Sequence, residues 1–211
     1  MATTPITTPV GTLEWVFISG KGKEDMQGNL MYTVDLVLDG AEAEALKATI
    51  DAIWKANKPS HISAPKSTGH YPHTVSTGEK DENGKAIYKE TGKTKFTFKT
   101  GTTYTSGDAK VVKIFNAKGS EIALGEQFIA NGSRGRIAGA VGVYTIENKG
   151  KVMQAGTTLY LNSIQLAKFI PYAGGASFDA IEGDCDGVGE VGGIPDETPS
   201  TPVNEPAKPR L

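Results

Sequence analysis

From Arg134 to Phe169 the chain reads RGRIAGAVGVYTIENKGKVMQAGTTLYLNSIQLAKF, and this stretch limits the possible folds more than any other. It reads as two long β-strands joined by the polar turn Glu147-Asn148-Lys149-Gly150, the second strand running over Thr157–Phe169. Successive side chains of a strand point to opposite faces. One parity of the first strand carries Ile137, Gly139, Val141, Val143 and Thr145, a mostly apolar face suited to a core. The other carries Arg134, Arg136, Ala138, Ala140, Gly142 and Tyr144: two cations, then small residues, then a ring. A face without bulk in its middle suits an extended polymer held by charge at one end and by stacking at the other, as single-stranded nucleic acid is held. The same pattern also fits a half-solvated strand whose small residues relieve crowding in a tight barrel.

Upstream, residues 1–10 are Thr/Pro-rich and read as a flexible lead-in. Gly11–Ser19 reads as a strand with Leu13, Trp15 and Phe17 on one face, and Asn29–Leu38 as its meander partner. A helix follows, with Asp39 as N-cap, Glu42 near the capping-box position, a stripe of Leu46, Ile50, Ile53 and Trp54, and Pro59 as its stop. Residues 57–92 read as a long loop available to wrap a bound polymer. Lys93–Thr100 is the next strand, with Phe96 and Phe98 inward and Lys93, Lys95, Thr97 and Lys99 outward. Lys110–Phe115 is a further strand, closed by the turn Asn116-Ala117-Lys118-Gly119.

Charge is distributed unevenly. Residues 173–211 hold eight acids and two bases, whereas residues 1–172 hold 16 acids and 20 bases. Between Lys85 and Lys113 seven lysines face two acids, Glu90 and Asp108. A basic body with an acidic tail recurs among nucleic-acid-binding proteins. The tail is rich in Gly, Pro and acid, with Phe178 and Ile181 its few apolar points, a composition that cannot offset ordering entropy; 173–211 is expected to be disordered. The single cysteine, Cys185, permits no internal disulfide and sits between Asp184 and Asp186, which should raise its thiol pKa rather than activate it. No membrane-spanning run occurs, and MATTPITTPV lacks the layout of a secretory signal.

Catalytic motifs are missing: there is no phosphate-binding P-loop, no G-x-S-x-G elbow and no H-E-x-x-H. His61, His70 and His73 lie in the loop-like segment without cysteines or carboxylates at metal-ligand spacing, so neither a metal nor another cofactor is expected. The residues point to a binding protein rather than an enzyme.

In its order of segments the chain resembles the phage-encoded single-stranded DNA-binding proteins of the T7 type. The resemblance rests on VKIFNAKG at Val112–Gly119, FIANGSRGR at Phe128–Arg136 and LNSIQ at Leu161–Gln165, followed by the acidic tail. It implies a mainly β fold, an oligonucleotide-binding (OB) five-stranded barrel over residues 11–172 with one helix between strands. It also implies a protein that coats single strands during replication, recombination and repair in the cytoplasm of the bacterial host. The acidic tail would contact the phage DNA polymerase or other replication proteins and compete with DNA for the basic groove. This tail departs from the family in ending Pro-Ala-Lys-Pro-Arg-Leu rather than in acids and an aromatic. Read with the residue pattern, Lys93, Lys95, Lys99, Arg134 and Arg136 are the expected phosphate contacts. Tyr104 and Tyr144 are the expected stacking platforms, with Tyr88 and Trp15 as secondary ones. The protein is expected to be a monomer or homodimer that does not touch membranes. A phage structural or assembly β-domain, or an RNA-binding OB module, are the alternatives.

Overall fold

The computed structural model describes residues 3–25, 27–125 and 127–172. In chain order these form β1 (Thr3–Thr7), β2 (Gly11–Phe17), β3 (Lys23–Glu24), β4 (Leu30–Leu38), helix α1 (Gly40–Asn57), β5 (His70–Lys80), β6 (Ala86–Gly101), β7 (Lys113–Phe115), β8 (Glu121–Ile122), β9 (Ser133–Asn148) and β10 (Lys151–Lys168). The pairing order β9-β2-β4-β6-β10, with β10 pairing back onto β9, closes a five-stranded barrel. All its pairs are antiparallel except β6 with β10. Numbered along the barrel, the order is first-second-third-fifth-fourth, a Greek-key arrangement that identifies the OB-fold expected from the sequence. The remaining short strands extend its edges, β3 on β4, β7 on β10 and β8 on β7.

β9 and β10 form the long hairpin predicted, with pairing that runs from Asn148–Lys151 to Arg134–Lys168. Lys149 and Gly150 have φ of 50° and 74°, the paired positive values of a type I′ turn, whose twist matches that of the strands it joins. Leu13, Val34, Leu36, Phe96, Phe98, Ile137, Val141, Leu159, Leu161 and Ile164 fill the interior and are almost fully buried. Removing either phenylalanine ring should cost about 3–5 kcal/mol, because both are fully buried. Helix α1 contributes Ala43, Leu46 and Ile50 to the same cluster, and Trp54 is buried on the same stripe. No described helix is long and apolar enough to cross a membrane.

Four local expectations are corrected. Residues 3–7, read as a loose lead-in, pair with Ala138–Gly142 as β1, and Thr8 exchanges hydrogen bonds with Ile137. Half of the expected 57–92 loop is a β-hairpin arm: β5 and β6 pair from His70–Phe96 out to Lys80–Ala86. Asp39 occupies the N-cap backbone position but makes no side-chain cap; its carboxylate instead faces Lys93 Nζ at 3.8 Å. Leu13, Trp15 and Phe17 do not share an inward face. A bulge between Glu14 and Phe17 inverts the alternation, so Leu13 is buried, Val16 packs on the core, and Trp15 turns outward. The expectations for residues 173–211, including Cys185, Phe178 and Ile181, lie outside the described residues.

Candidate nucleic-acid interface

The outward parity of β6 meets the outward parity of β4, because Leu36 pairs with Phe96 and Val34 with Phe98 while Asp35 pairs with Thr97 and Thr33 with Lys99. Each strand therefore turns its apolar set into the barrel and its polar set onto one face. Over that face runs a trough of two adjoining recesses. One, of about 530 Å³, has Trp15 at its wall with three lysines, Lys23, Lys95 and Lys99, set among three acids, Glu24, Asp25 and Asp35. The other, of about 420 Å³, is walled by Lys66, Ser67, Tyr71, Lys99, Tyr144 and Ile146, and the two meet at Thr97 and Lys99.

Along the lysine row the charge is partly answered. Lys95 Nζ lies 3.3 Å from Asp35 Oδ2, whose other oxygen accepts a 2.7 Å hydrogen bond from Thr97 Oγ1. Lys93 pairs loosely with Asp39. Lys99 has no carboxylate within ion-pair distance among the described residues. Solvent-exposed pairs contribute only about 0–1 kcal/mol, so a phosphate can replace the carboxylate partner of Lys93 at little cost. Asp25 stands nearby on the loop before β4. Hydrogen bonds from the Asn29 backbone and side chain and from the Gln27 N–H hold its carboxyl below the usual range, so it stays ionised and offsets part of the Lys99 charge.

Two aromatic groups bracket the trough. At one end Tyr144 and Tyr71 line the same recess. The Tyr144 hydroxyl lies 2.6 Å from where a Cβ on Gly156 would sit, so that glycine makes room for the ring. Burial, with Tyr71 adjacent, raises the phenol above its ordinary value and keeps it a neutral donor. At the other end stands Trp15, 57% exposed, with φ at 49°, a left-handed conformation that costs a side-chain-bearing residue about 1–2 kcal/mol. Phe17 follows it, with Lys23 Nζ 5.7 Å from the ring centroid.

The structure thus brings Lys95, Lys99, Tyr144 and Trp15 to one face and places Lys93 on the same strand parity beside Asp39. The other expected site residues lie elsewhere. Arg134 and Arg136 are exposed on the same face of β9 as Tyr144, but Arg134 is ten residues from it, roughly 33 Å along an extended strand. Arg136 Nε donates to Gln165 Oε1 at 2.7 Å and borders a separate recess with Phe115 and Gly119. The small residues between are not an open floor: Ala140 and Gly142 are buried, and the Tyr160 ring packs where a Gly142 side chain would go. Tyr104 lies on the turn after β6 with Lys110 Nζ 5.4 Å from its ring centroid, and Tyr88 projects from the arm; neither borders the trough.

Lys66, Tyr71, Lys23 and Phe17 carry no signal in the sequence that marks them as site residues. Lys66 and Tyr71 fall in the segment that reads as loop, yet that segment is pinned. Lys66 N–H donates to Ala155 O at 2.7 Å, Thr157 N–H to Ser67 O at 2.8 Å and Thr97 N–H to Gly69 O at 3.0 Å. The histidines are dispersed: His61 Nε2 contacts Val152 O, His70 packs on Phe96, and His73 is bonded to Thr91 and Glu14. Among the described residues no three His, Cys, Asp or Glu side chains gather as a metal site would require.

No protein-family model matches the chain, and no curated protein matches it by sequence. Solved structures do. The single-stranded DNA-binding protein of bacteriophage Enc34, in complex with single-stranded DNA, superposes with a TM-score of 0.51 at 15% identity over 80% of this chain and 89% of that one. A second structure of the Enc34 single-stranded DNA-binding protein gives 0.47 at 14% identity over 82% and 87%. The single-stranded DNA-binding protein gp2.5 encoded by bacteriophage T7 gives 0.47 at 20% identity over 92% and 99%. At 15% identity the likeness to the Enc34 complex concerns the fold alone, and it agrees with the barrel topology described above.

Proposed function

We propose that this chain binds single-stranded DNA without sequence preference, through residues 11–172, and has no catalytic activity. The observation that carries the reading is the trough on the β4–β6 face of an OB barrel, with ammonium groups along its length and aromatic rings at both ends. OB-folds bind oligonucleotides on this face, tracking the backbone with cations and stacking bases on rings at about 1–3 kcal/mol per base. The Enc34 protein, which shares the fold, was solved with single-stranded DNA, and this supports the same ligand here. Coating and protecting strands during phage replication, recombination and repair, in the cytoplasm of the bacterial host, is the role that fits such a ligand. The acidic tail would serve contact with a phage polymerase or other replication proteins, and the working form would be a monomer or homodimer.

The test is fluorescence anisotropy with a labelled single strand of about 30 nucleotides, long enough for the roughly 4–16 nucleotides an OB-fold occupies, at low and moderate salt. Tight, salt-sensitive binding to the single strand and weak binding to the matching duplex is expected; binding to neither would sink the reading and favour a structural or assembly role. Equal-length RNA competes poorly if DNA is the ligand and wins if this is an RNA module. The double variant K66E/K99E should lower affinity and flatten the salt dependence by about 0.7 for each phosphate no longer neutralised. R134E/R136E, on the far stretch of β9, should do less. A reversed order would move the interface to the β9 face.

A further inference from the structure

Seven aromatic side chains are exposed among the described residues, and four of them, Trp15, Phe17, Phe128 and Tyr172, wall a single recess of about 500 Å³. Soluble proteins rarely leave that much ring surface clustered in water without a ligand for it. The recess adjoins the lysine trough, because Trp15 borders both, and Lys23 sits over Phe17 at their junction. Its geometry is built rather than loose. Phe128 and Tyr172 are joined by a hydrogen bond from Tyr172 N–H to Phe128 O at 2.8 Å, and Ala130 N–H donates to Ile170 O at 2.9 Å. Gly132, with φ of 90°, donates its N–H to Leu13 O at 3.1 Å. Asn131, held between these two anchors, accepts the Trp15 backbone N–H on Oδ1 at 2.8 Å. On the other side of the bulge, Glu14 Oε2 lies 3.2 Å from His73 Nε2, whose Nδ1 meets Thr91 Oγ1 at 2.8 Å at the root of the arm. The left-handed Trp15 is therefore held outward from both sides, by Asn131 and by the Glu14–His73 pair, as strained residues at binding sites are.

We infer that this recess is a nucleobase subsite at the end of the trough, in which Trp15 stacks on a base of the single strand, and that Asn131 is a positioning residue that holds Trp15 there. The inference rests on the proposed binding of single-stranded DNA and adds where the strand goes after it passes Lys95: off the sheet face and over the β2 bulge. The approach from the trough is lined by Lys23, Lys95 and Lys99 beside Glu24, Asp25 and Asp35; Lys95 is answered by Asp35, which leaves Lys23 and Lys99 to meet the phosphates on either side of a base, a pairing that an apolar protein segment would not supply.

The full-length protein is titrated with the labelled 30-mer while anisotropy and tryptophan emission are recorded together; Trp54 is buried in the α1 stripe and supplies a constant background. Saturation should quench the Trp15 emission. Glycine tolerates the left-handed backbone, so Trp15→Gly should melt no lower than the wild type. Yet it should bind about 5- to 150-fold more weakly, the loss of one stacked base, with an unchanged slope of log affinity against log salt because every phosphate partner is retained. Trp15→Phe keeps a ring and should hold affinity within about threefold while losing the quench. Asn131→Ala leaves Trp15 in place but loosens it, so both affinity and quench should fall partway. Saturation without quenching, or a Trp15→Gly protein that binds as tightly as the wild type, overturns the subsite while leaving DNA binding in place. Unchanged DNA affinity with a loss of self-association in Trp15→Gly or Phe128→Ser, read by sedimentation, overturns it in favour of a second copy of the chain. If the wild type binds no single strand at all, the broader reading has failed and the subsite with it.

Discussion

Gly139 shows how closely β9 and β10 approach. A Cβ there would lie 2.1 Å from the Tyr160 carbonyl oxygen, a backbone atom that cannot step aside. Gly139→Ala should therefore destabilise the barrel by about 3 kcal/mol or more, at or beyond the upper end of ordinary overpacking, read as a lower midpoint in urea with unchanged slope. Gly142→Ala meets the edge of the Tyr160 ring instead and should cost less, because a side chain can rotate away. The sequence marked both glycines as small but could not show what filled the space beside them, since that depends on which residue of β10 lies opposite. His70 provides a pH test. Its Nε2 is buried without a hydrogen-bond partner, and burial first, then the Lys47 charge, lowers its pKa below the ordinary 6.5. Above pH 6.5 the ring is neutral in both folded and unfolded chains and contributes nothing to the pH dependence. Below it the unfolded chain takes up the proton more readily, so stability falls as the pH drops through that value and on to the folded pKa. His70→Phe should flatten this part of the stability–pH curve; an equally steep fall in the variant would assign the effect to other groups.

At the level of elements, the arm and the β2 bulge account for most of what sequence reading missed. Every residue from 74 to 93 is exposed, so the arm carries no alternation of apolar and polar residues, the signal by which a half-buried strand is recognised. Its tip is a tight turn: Asp81 Oδ1 accepts the N–H groups of Asn83 and Lys85, and Gly84 supplies φ of 75°. Because the arm adds nothing to the core, replacing residues 76–88 with an Asn-Gly turn should change barrel stability by no more than about 1 kcal/mol. A drop of more than about 2 kcal/mol in chemical denaturation would show that the arm supports the barrel. The bulge was hidden for another reason. Leu13, Trp15 and Phe17 alternate as an inward face should, and only the pairing of Phe17 with Thr33, out of step with the pairing of Glu14 and Asp35, reveals the inversion.

At the scale of the whole molecule, charge is the property on which the proposed binding turns. Residues 1–172 carry an excess of four positive charges and residues 173–211 an excess of six negative ones. If the acidic stretch competes with DNA for the trough, removing 173–211 should raise affinity for single strands, most visibly at low ionic strength where the Debye length is long. Equal affinity of the truncated and full chains at low salt would remove the tail from the binding equilibrium.

What the sequence determined by itself was the principal strands, the helix and which side chains share a face. The β9–β10 alternation, the Phe96/Phe98 and Lys95/Lys99 parities and the α1 stripe are local patterns, and side-chain periodicity transmits them directly into structure. Which cations and rings work together was decided by tertiary structure. Strand pairing put Lys66 and Tyr71 beside Lys99 and Tyr144, a bulge in β2 moved Trp15 from the core to the surface, and the length of β9 carried Arg134 and Arg136 away from the face they were expected to serve. Register and strand length act between residues far apart in the chain, and no local pattern encodes them.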